Sequence, residues 1–266
     1  MTILGAIFPP DLPPERLRSV VQAADAAGLE QLWLWEDCFK ESGIATAAAA
    51  LAWSERLVLG IGLLPVPLRN VALTAMELAT IERLFPGRLV AGIGHGVSDW
   101  MGQVGASADS PMTLLREYTV ALQALLAGSQ VTTAGRYVRL DNVSLDWPPV
   151  AAPPLLVGGV RQRTVELAGE LSDGVILTGE TTPTSLREAT THLAAGRAAG
   201  GRDGAAKAAV IIPVDGELPA ATIAAKVAEY VEAGATHAIL LSVGGGPELE
   251  EFVEFVAREV RPLVPA

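Results

Sequence analysis

The stretch Ser54–Gly96, SERLVLGIGLLPVPLRNVALTAMELATIERLFPGRLVAGIGHG, decides the fold. Its run Leu57–Gly62 is apolar without alternation, as expected of a parallel strand covered on both faces. The proline-rich segment Leu64–Asn70 ends that run, and a helical stretch follows before a second run at Arg88–Gly92. Strand, helix and strand in this order form a crossover unit, which sets the two strands parallel.

Working outward, similar runs recur at Thr2–Phe8, Gln31–Trp35, Leu155–Val157, Gly174–Leu177, Ala208–Ile212 and Ala238–Leu241. The intervening segments carry helical stripes. Leu17, Val20, Val21 and Ala24 share one face, with Gly28 placed to stop the helix. Leu114, Tyr118, Leu122 and Leu125 form a second stripe, and Ile223, Val227, Tyr230 and Val231 a third. Eight such units share 266 residues, about 33 each, with no remainder for another domain. The pattern predicts an α/β protein, a single-domain (β/α)8 TIM barrel over 1–266. One excursion at 128–154 breaks the rhythm and reads as a short hairpin with a proline-stiffened return.

Composition narrows the function. The net charge of −11 argues against a duplex nucleic-acid partner, which needs a cationic footprint. A single cysteine, Cys38, excludes an internal disulfide and a cysteine-rich zinc site. No stretch reaches about 18 uninterrupted apolar residues, and the N-terminus lacks a basic leader pattern, so the expectation is a cytoplasmic protein with no membrane partner. No HxH, HExxH or carboxylate cluster at ligand spacing is present, so no metal is expected, and no GxSxG elbow marks a nucleophilic serine.

In a (β/α)8 barrel, chemistry sits where strands end at the C-terminal face. Here those ends are Trp35–Phe39, Gly60–Pro65, Gly92–Asp99, Val157–Arg163, Leu177–Glu180 and Ser242–Pro247. They are rich in glycine and poor in ionisable groups. Such a rim suits a large ligand that brings its own reactivity better than acid–base chemistry built from side chains. Gly158 and Gly159, before a helix opening near Arg161 and Arg163, could cradle a phosphate or simply make a tight turn. Gly244–Gly246 is a competing phosphate position. His95, between two glycines past a strand end, is expected to line the site; His192 and His237 are expected to be structural. Cys38 has no base partner in view and is not expected to be a nucleophile. The Val97–Met112 connection is a candidate lid or an ordinary surface loop.

Four blocks, AADAAGLEQLWLWEDCF (23–39), the 54–96 stretch, LREYTVALQALLAGSQVTTAGRYVRLDNVSLDWPP (115–149) and PPLLVGGVRQRTVELAGELSDGVIL (153–177), resemble in their order and spacing the bacterial luciferase-like superfamily of flavin- and deazaflavin-dependent oxidoreductases. The resemblance implies a barrel that binds coenzyme F420, or alternatively FMN, at its C-terminal face. By position it places Asp37 and Cys38 near the ring's polar edge and a non-prolyl cis peptide at Gly62–Leu63 behind the ring. It also implies Gly94, His95 and Gly96 along the ring or its side chain, Val157, Gly158, Gly159 and Val160 at the phosphate, and Thr178 and Gly179 close by. Relatives often carry His where Cys38 stands and Glu where Val97 stands, so His95 or Asp37 is the expected catalytic proton carrier.

The leading expectation is an F420-dependent oxidoreductase moving hydride between the deazaflavin and a small organic substrate, with a homodimer as a possible assembly. An FMN-dependent monooxygenase or reductase is the alternative, with Trp35, Phe39, Leu63 and Trp100 as apolar walls. A degenerate, non-catalytic flavin-binding barrel is a third reading. A sugar-phosphate lyase is disfavoured because no lysine ends a predicted strand.

Overall fold

The computed structural model describes residues 2–244 and 246–265. In chain order the strands are β1 (Ile3–Ile7), β2 (Gln31–Leu34), β3 (Val58–Pro65), β4 (Leu89–Gly94), β5 (Val131–Ala134), β6 (Arg139–Val143), β7 (Leu155–Gly158), β8 (Gly174–Leu177), β9 (Lys207–Asp215) and β10 (His237–Val243). The helices are α1 (Leu17–Ala27), α2 (Gly43–Ala52), α3 (Val71–Leu84), α4 (Ser98–Gln103), α5 (Pro111–Leu126), α6 (Gln162–Leu171), α7 (Pro183–Ala199), α8 (Ala220–Glu232) and α9 (Leu249–Phe255). Eight strands close into a barrel in the order β1-β10-β9-β8-β7-β4-β3-β2, and every pairing around it is parallel. The expected (β/α)8 architecture is therefore the one observed. Within the 128–154 excursion, β5 and β6 pair antiparallel as a hairpin.

The helical stripes face inward as their spacing required. Leu17, Val20, Val21 and Ala24 are buried, and Gly28 closes α1 with φ +78°, a left-handed geometry that glycine adopts without steric cost. Several strands extend past their apolar runs. β3 continues to Pro65 and β4 to Gly94, so Leu63, Leu64 and Gly94 are strand residues rather than loop residues. The extensions include apolar Leu63, Leu64 and Ile93; the glycines at 62 and 92 and the following proline or glycine read as turn residues and end the sequence runs early. The Val97–Met112 connection contains the short helix α4, which the sequence reading did not include. Among the described residues, no helix is long and apolar enough to cross a membrane.

Two apolar layers hold the barrel. The outer one lies between strands and helices; the inner one comprises Ile7, Trp33, Val90, Leu156, Ile176, Ala209 and Ile239, with Trp35 and Leu241 packed against it. Trp33 dominates the interior, and its indole N–H donates to Gln31 Oε1 at 2.9 Å, so its one polar atom is satisfied in the core. The ring occupies space that glycine leaves open. A Cβ on Gly60 would lie 2.2 Å from Trp33 Cδ2, and one on Gly92 would lie 2.4 Å from Ile176 Cδ1.

At the bottom of the barrel His237 is buried, with Nδ1 2.8 Å from Thr236 Oγ1. Burial, aided by the Lys207 charge, pushes its pKa down from 6.5 to about 4. Below pH 6.5 the unfolded chain takes a proton here that the folded chain refuses, so folding weakens as pH falls from 6.5 toward 4.

Two outcomes are expected. Gly60→Ala should overpack the interior and cost about 1–3 kcal/mol in denaturant unfolding; an unchanged midpoint would mean that Trp33 is free to move. His237→Asn should lose less stability between pH 7 and pH 4 than the parent, by up to about 3 kcal/mol, in the same measurement repeated across pH.

Candidate functional site

The C-terminal mouth of the barrel has little side-chain material on the β4 and β7 sides. Gly94 and Gly158 face its interior, and the Leu63 side chain lies across both: a Cβ on either would come within 2.5 Å or 2.2 Å, respectively, of Leu63 Cδ2. Leu63 reaches this position because β3 carries an extra residue against β4, the register shifting between Ile61 and Leu64. The Gly62–Leu63 peptide is cis, as the resemblance implied, and Cys38–Phe39 is a second non-prolyl cis peptide that no reading anticipated. Around the rim, Phe39, Val97, Val160 and Val243 are exposed apolar side chains from four different strand ends. Large apolar groups left uncovered around one concave face are typical of ligand sites.

The β2 end carries Asp37 and Cys38, both half-buried. Cys38 is a free thiol whose pKa is pushed up by burial and by the neighbouring Glu36 and Asp37 charges, so it stays protonated at neutral pH. Next to them stands a feature the sequence reading missed. The Glu36 carboxylate is buried and accepts both terminal N–H groups of the Arg69 guanidinium, together with Gly43 N–H at 2.8 Å. Arg69 Nε also lies 3.4 Å from Glu77 Oε2. Glu36 N–H donates to the Leu63 carbonyl at 3.4 Å, so the pair ties the β2 end to the β3 bulge. Sequence offered one signal for it, a lone arginine in the LPVPLRN turn one helix away from an acid at a strand end.

His95 and the α6 start form the third part. His95 Nε2 lies 3.4 Å from Thr164 Oγ1 in the first turn of α6, while its Nδ1 is buried without a hydrogen-bond partner. Burial, then the nearby Arg161 charge, lowers its pKa, so the ring is neutral at pH 7. Arg161, the N-cap of α6, makes no side-chain cap, so the helix start is left open to an anion. The expected phosphate residues divide here. Val157 is fully buried in the outer core, and Gly159 N–H is committed to the Ile176 carbonyl at 3.1 Å. Thr164 N–H is likewise committed, to the Arg161 carbonyl at 2.9 Å, which leaves Val160, Arg161, Gln162 and Arg163. Gly159 matters instead for its missing side chain, since a Cβ there would lie 2.5 Å from Thr164 Cγ2.

Gly96 follows with φ +70°, turning the chain away past Pro65 and Met101. Thr178 is exposed and Gly179 half-buried at the β8 end, with the Gly179 α-carbon packed toward Pro213 of β9. Trp35 packs onto the barrel interior, and Trp100 sits on α4 beside the rim. Of the competing phosphate cluster Gly244–Gly246, Gly245 lies outside the described residues. Among the described residues, no group of three or more His, Cys, Asp or Glu side chains is placed to hold a metal ion.

The family model for luciferase-like monooxygenases matches residues 5–218. The chain is 27% identical over 200 residues to 5,10-methylenetetrahydromethanopterin reductase of Methanolobus tindarius, across 75% of this chain and 60% of that one. It is 26% identical over 183 residues to the F420-dependent glucose-6-phosphate dehydrogenase of Nakamurella multipartita, across 64% and 54%. It thus spans about 60% of the length of the first of these curated relatives. A solved structure, an F420-dependent secondary alcohol dehydrogenase in complex with an F420-acetone adduct, superposes with a TM-score of 0.90 at 18% identity, covering 100% of this chain and 99% of that one.

The Glu36–Arg69 pair generates a stability prediction. Arg69→Met should destabilise by about 3–5 kcal/mol in denaturant unfolding, because it strands a buried carboxylate. Adding Glu36→Gln should recover part of that loss; no recovery would mean that Arg69 acts through packing alone.

Proposed function

The chain belongs to the luciferase-like monooxygenase family, and we propose that it works as an F420-dependent oxidoreductase, moving hydride between the deazaflavin and a small organic substrate. The observation that carries this reading is the open start of α6, with His95 packed against its first turn through Nε2, next to a mouth ringed by exposed apolar side chains. A ligand with an anionic end and a flat apolar end satisfies both at once. The relatives named for F420 favour the deazaflavin over FMN.

The residues present fit such a group. N–H groups from Val160 to Arg163, with the Arg161 side chain, would hold its phosphate. His95, neutral at pH 7, would add a hydrogen bond there rather than act as the proton carrier. Leu63 would back the ring, with Gly94 and Gly158 leaving it room. Phe39, Val97, Val160 and Val243 would exclude water from the mouth. When bound, the deazaflavin supplies a carbon that accepts or returns hydride. The carboxylate of Asp37, at the β2 end, would take the proton that a substrate hydroxyl releases as its carbon loses hydride. Cys38, held as a thiol, would contribute contact only.

Titration with F420 and with FMN, followed by fluorescence, tests the reading. Micromolar F420 binding is expected, and FMN binding without F420 binding would overturn it in favour of a flavin monooxygenase. Asp37→Asn should lower kcat by about a hundredfold with little change in F420 affinity. His95→Ala should do the reverse, weakening F420 about tenfold with kcat largely retained. Tight F420 binding with no turnover of any alcohol, ketone or imine would instead mark a non-catalytic barrel.

A further inference from the structure

Across the mouth from α6 there is a second concavity. It is a cleft of about 210 Å³ between the loop that follows β1 and the loop that follows β10. In the barrel order β1-β10-β9-β8-β7, these strands stand on the opposite side of the ring from β7 and its anion-binding end. Its inner wall is Ile7, a member of the interior cluster, and Leu241, which packs against that cluster. The cleft therefore reaches down to the interior cluster of the barrel. Leu12 and Leu249 complete the apolar wall.

The charges around it are already paired. Arg16 Nη2 lies 2.8 Å from Glu248 and 2.7 Å from Glu250, and Ser19 Oγ donates to Glu250 at 2.6 Å. These carboxylates hold the Arg16 pKa above its ordinary value, so the guanidinium keeps its charge. Asp11 pairs with Lys40 from the loop after β2. Two cations thus face three carboxylates, and each of the two cations already has an acidic partner. An incoming phosphate or carboxylate would meet a net negative rim. A cation would have to leave water for leucine walls, and the single negative charge left over on the exposed rim does not offset that cost. The volume is also below the roughly 300–1,000 Å³ of sites for drug-sized ligands.

We infer that this cleft receives the substrate, and that the substrate is a compact, uncharged organic molecule with an apolar body; phosphorylated and carboxylated molecules are refused there. The inference rests on the oxidoreductase reading for its meaning, since that reading supplies a cofactor on the opposite side of the mouth. It differs from that reading in what it asserts, namely the place and charge of the substrate.

The two are separated by measuring ligand binding directly. Saturation-transfer NMR on the full chain, with and without F420, should detect cyclohexanol and not glucose 6-phosphate at equal concentration. Leu241→Trp should fill the cleft and weaken cyclohexanol about tenfold, leaving F420 affinity within about twofold. Because Leu241 touches the core, the rim variant Glu248→Arg provides a second arm. It should confer glucose 6-phosphate binding at least about tenfold tighter than the parent's, through a cation with no acid left over. Glucose 6-phosphate binding to the parent as tightly as cyclohexanol would overturn the inference. So would cyclohexanol binding that is absent from the parent, or is unchanged in Leu241→Trp. Failure of F420 to bind, with cyclohexanol still bound and still displaced by Leu241→Trp, would sink the cofactor reading and leave the cleft assignment standing.

Discussion

The interior of this barrel depends on two large side chains lying where their neighbours have none. Trp33 fills the centre over Gly60, and Leu63 crosses the mouth over Gly94 and Gly158. A closed eight-stranded barrel has an interior that side chains must fill, and a large ring in one layer demands small residues around it. Close packing makes this a strict requirement, because an interior tolerates neither a void nor an added methyl group without cost. The glycines that look from composition like a flexible rim are therefore a packing device below and a clearing above.

The same arrangement divides labour at the mouth. Leu63 is presented by a one-residue bulge in β3, and the backbone at that bulge is tied to the β2 end through the Glu36 N–H and the Glu36–Arg69 pair. Glu36 and Arg69 are thus committed to holding loops, and Asp37 is left as the carboxylate at the β2 end. What faces the open space is apolar at Phe39, Val97, Val160 and Val243, with a helix start and an arginine at one side. That distribution agrees with a site whose reactivity is borrowed from a bound molecule.

Much of this was legible in the residues. Continuous apolar runs separated by helical stripes located every barrel strand, because parallel strands are buried on both faces and leave no alternation. The Gly62–Leu63 cis peptide followed from the ordered blocks, and the position of the α6 start from the two glycines before Arg161. The extensions of β3 and β4 did not, since Gly62, Gly92, Gly94 and Pro65 read as turn residues and hid the apolar Leu63, Leu64 and Ile93 among them. The Glu36–Arg69 pair joins residues 33 apart in the chain, and nothing local links an acid at one strand end to an arginine in the next turn. The sequence places His95 along the ring or its side chain without choosing between them; its packing against Thr164, toward α6, is a tertiary contact 69 residues distant.

The opposite placement of the β7 end and the β1/β10 end has one more consequence. The span between them is fixed by the girth of the ring, which hydrogen bonds between strands determine, and not by the length or mobility of any loop. On the proposed reading, a two-ended guest laid across that diameter would settle with its charged terminus toward α6. Variation in the loops can then alter what is admitted beside it without disturbing how it lies.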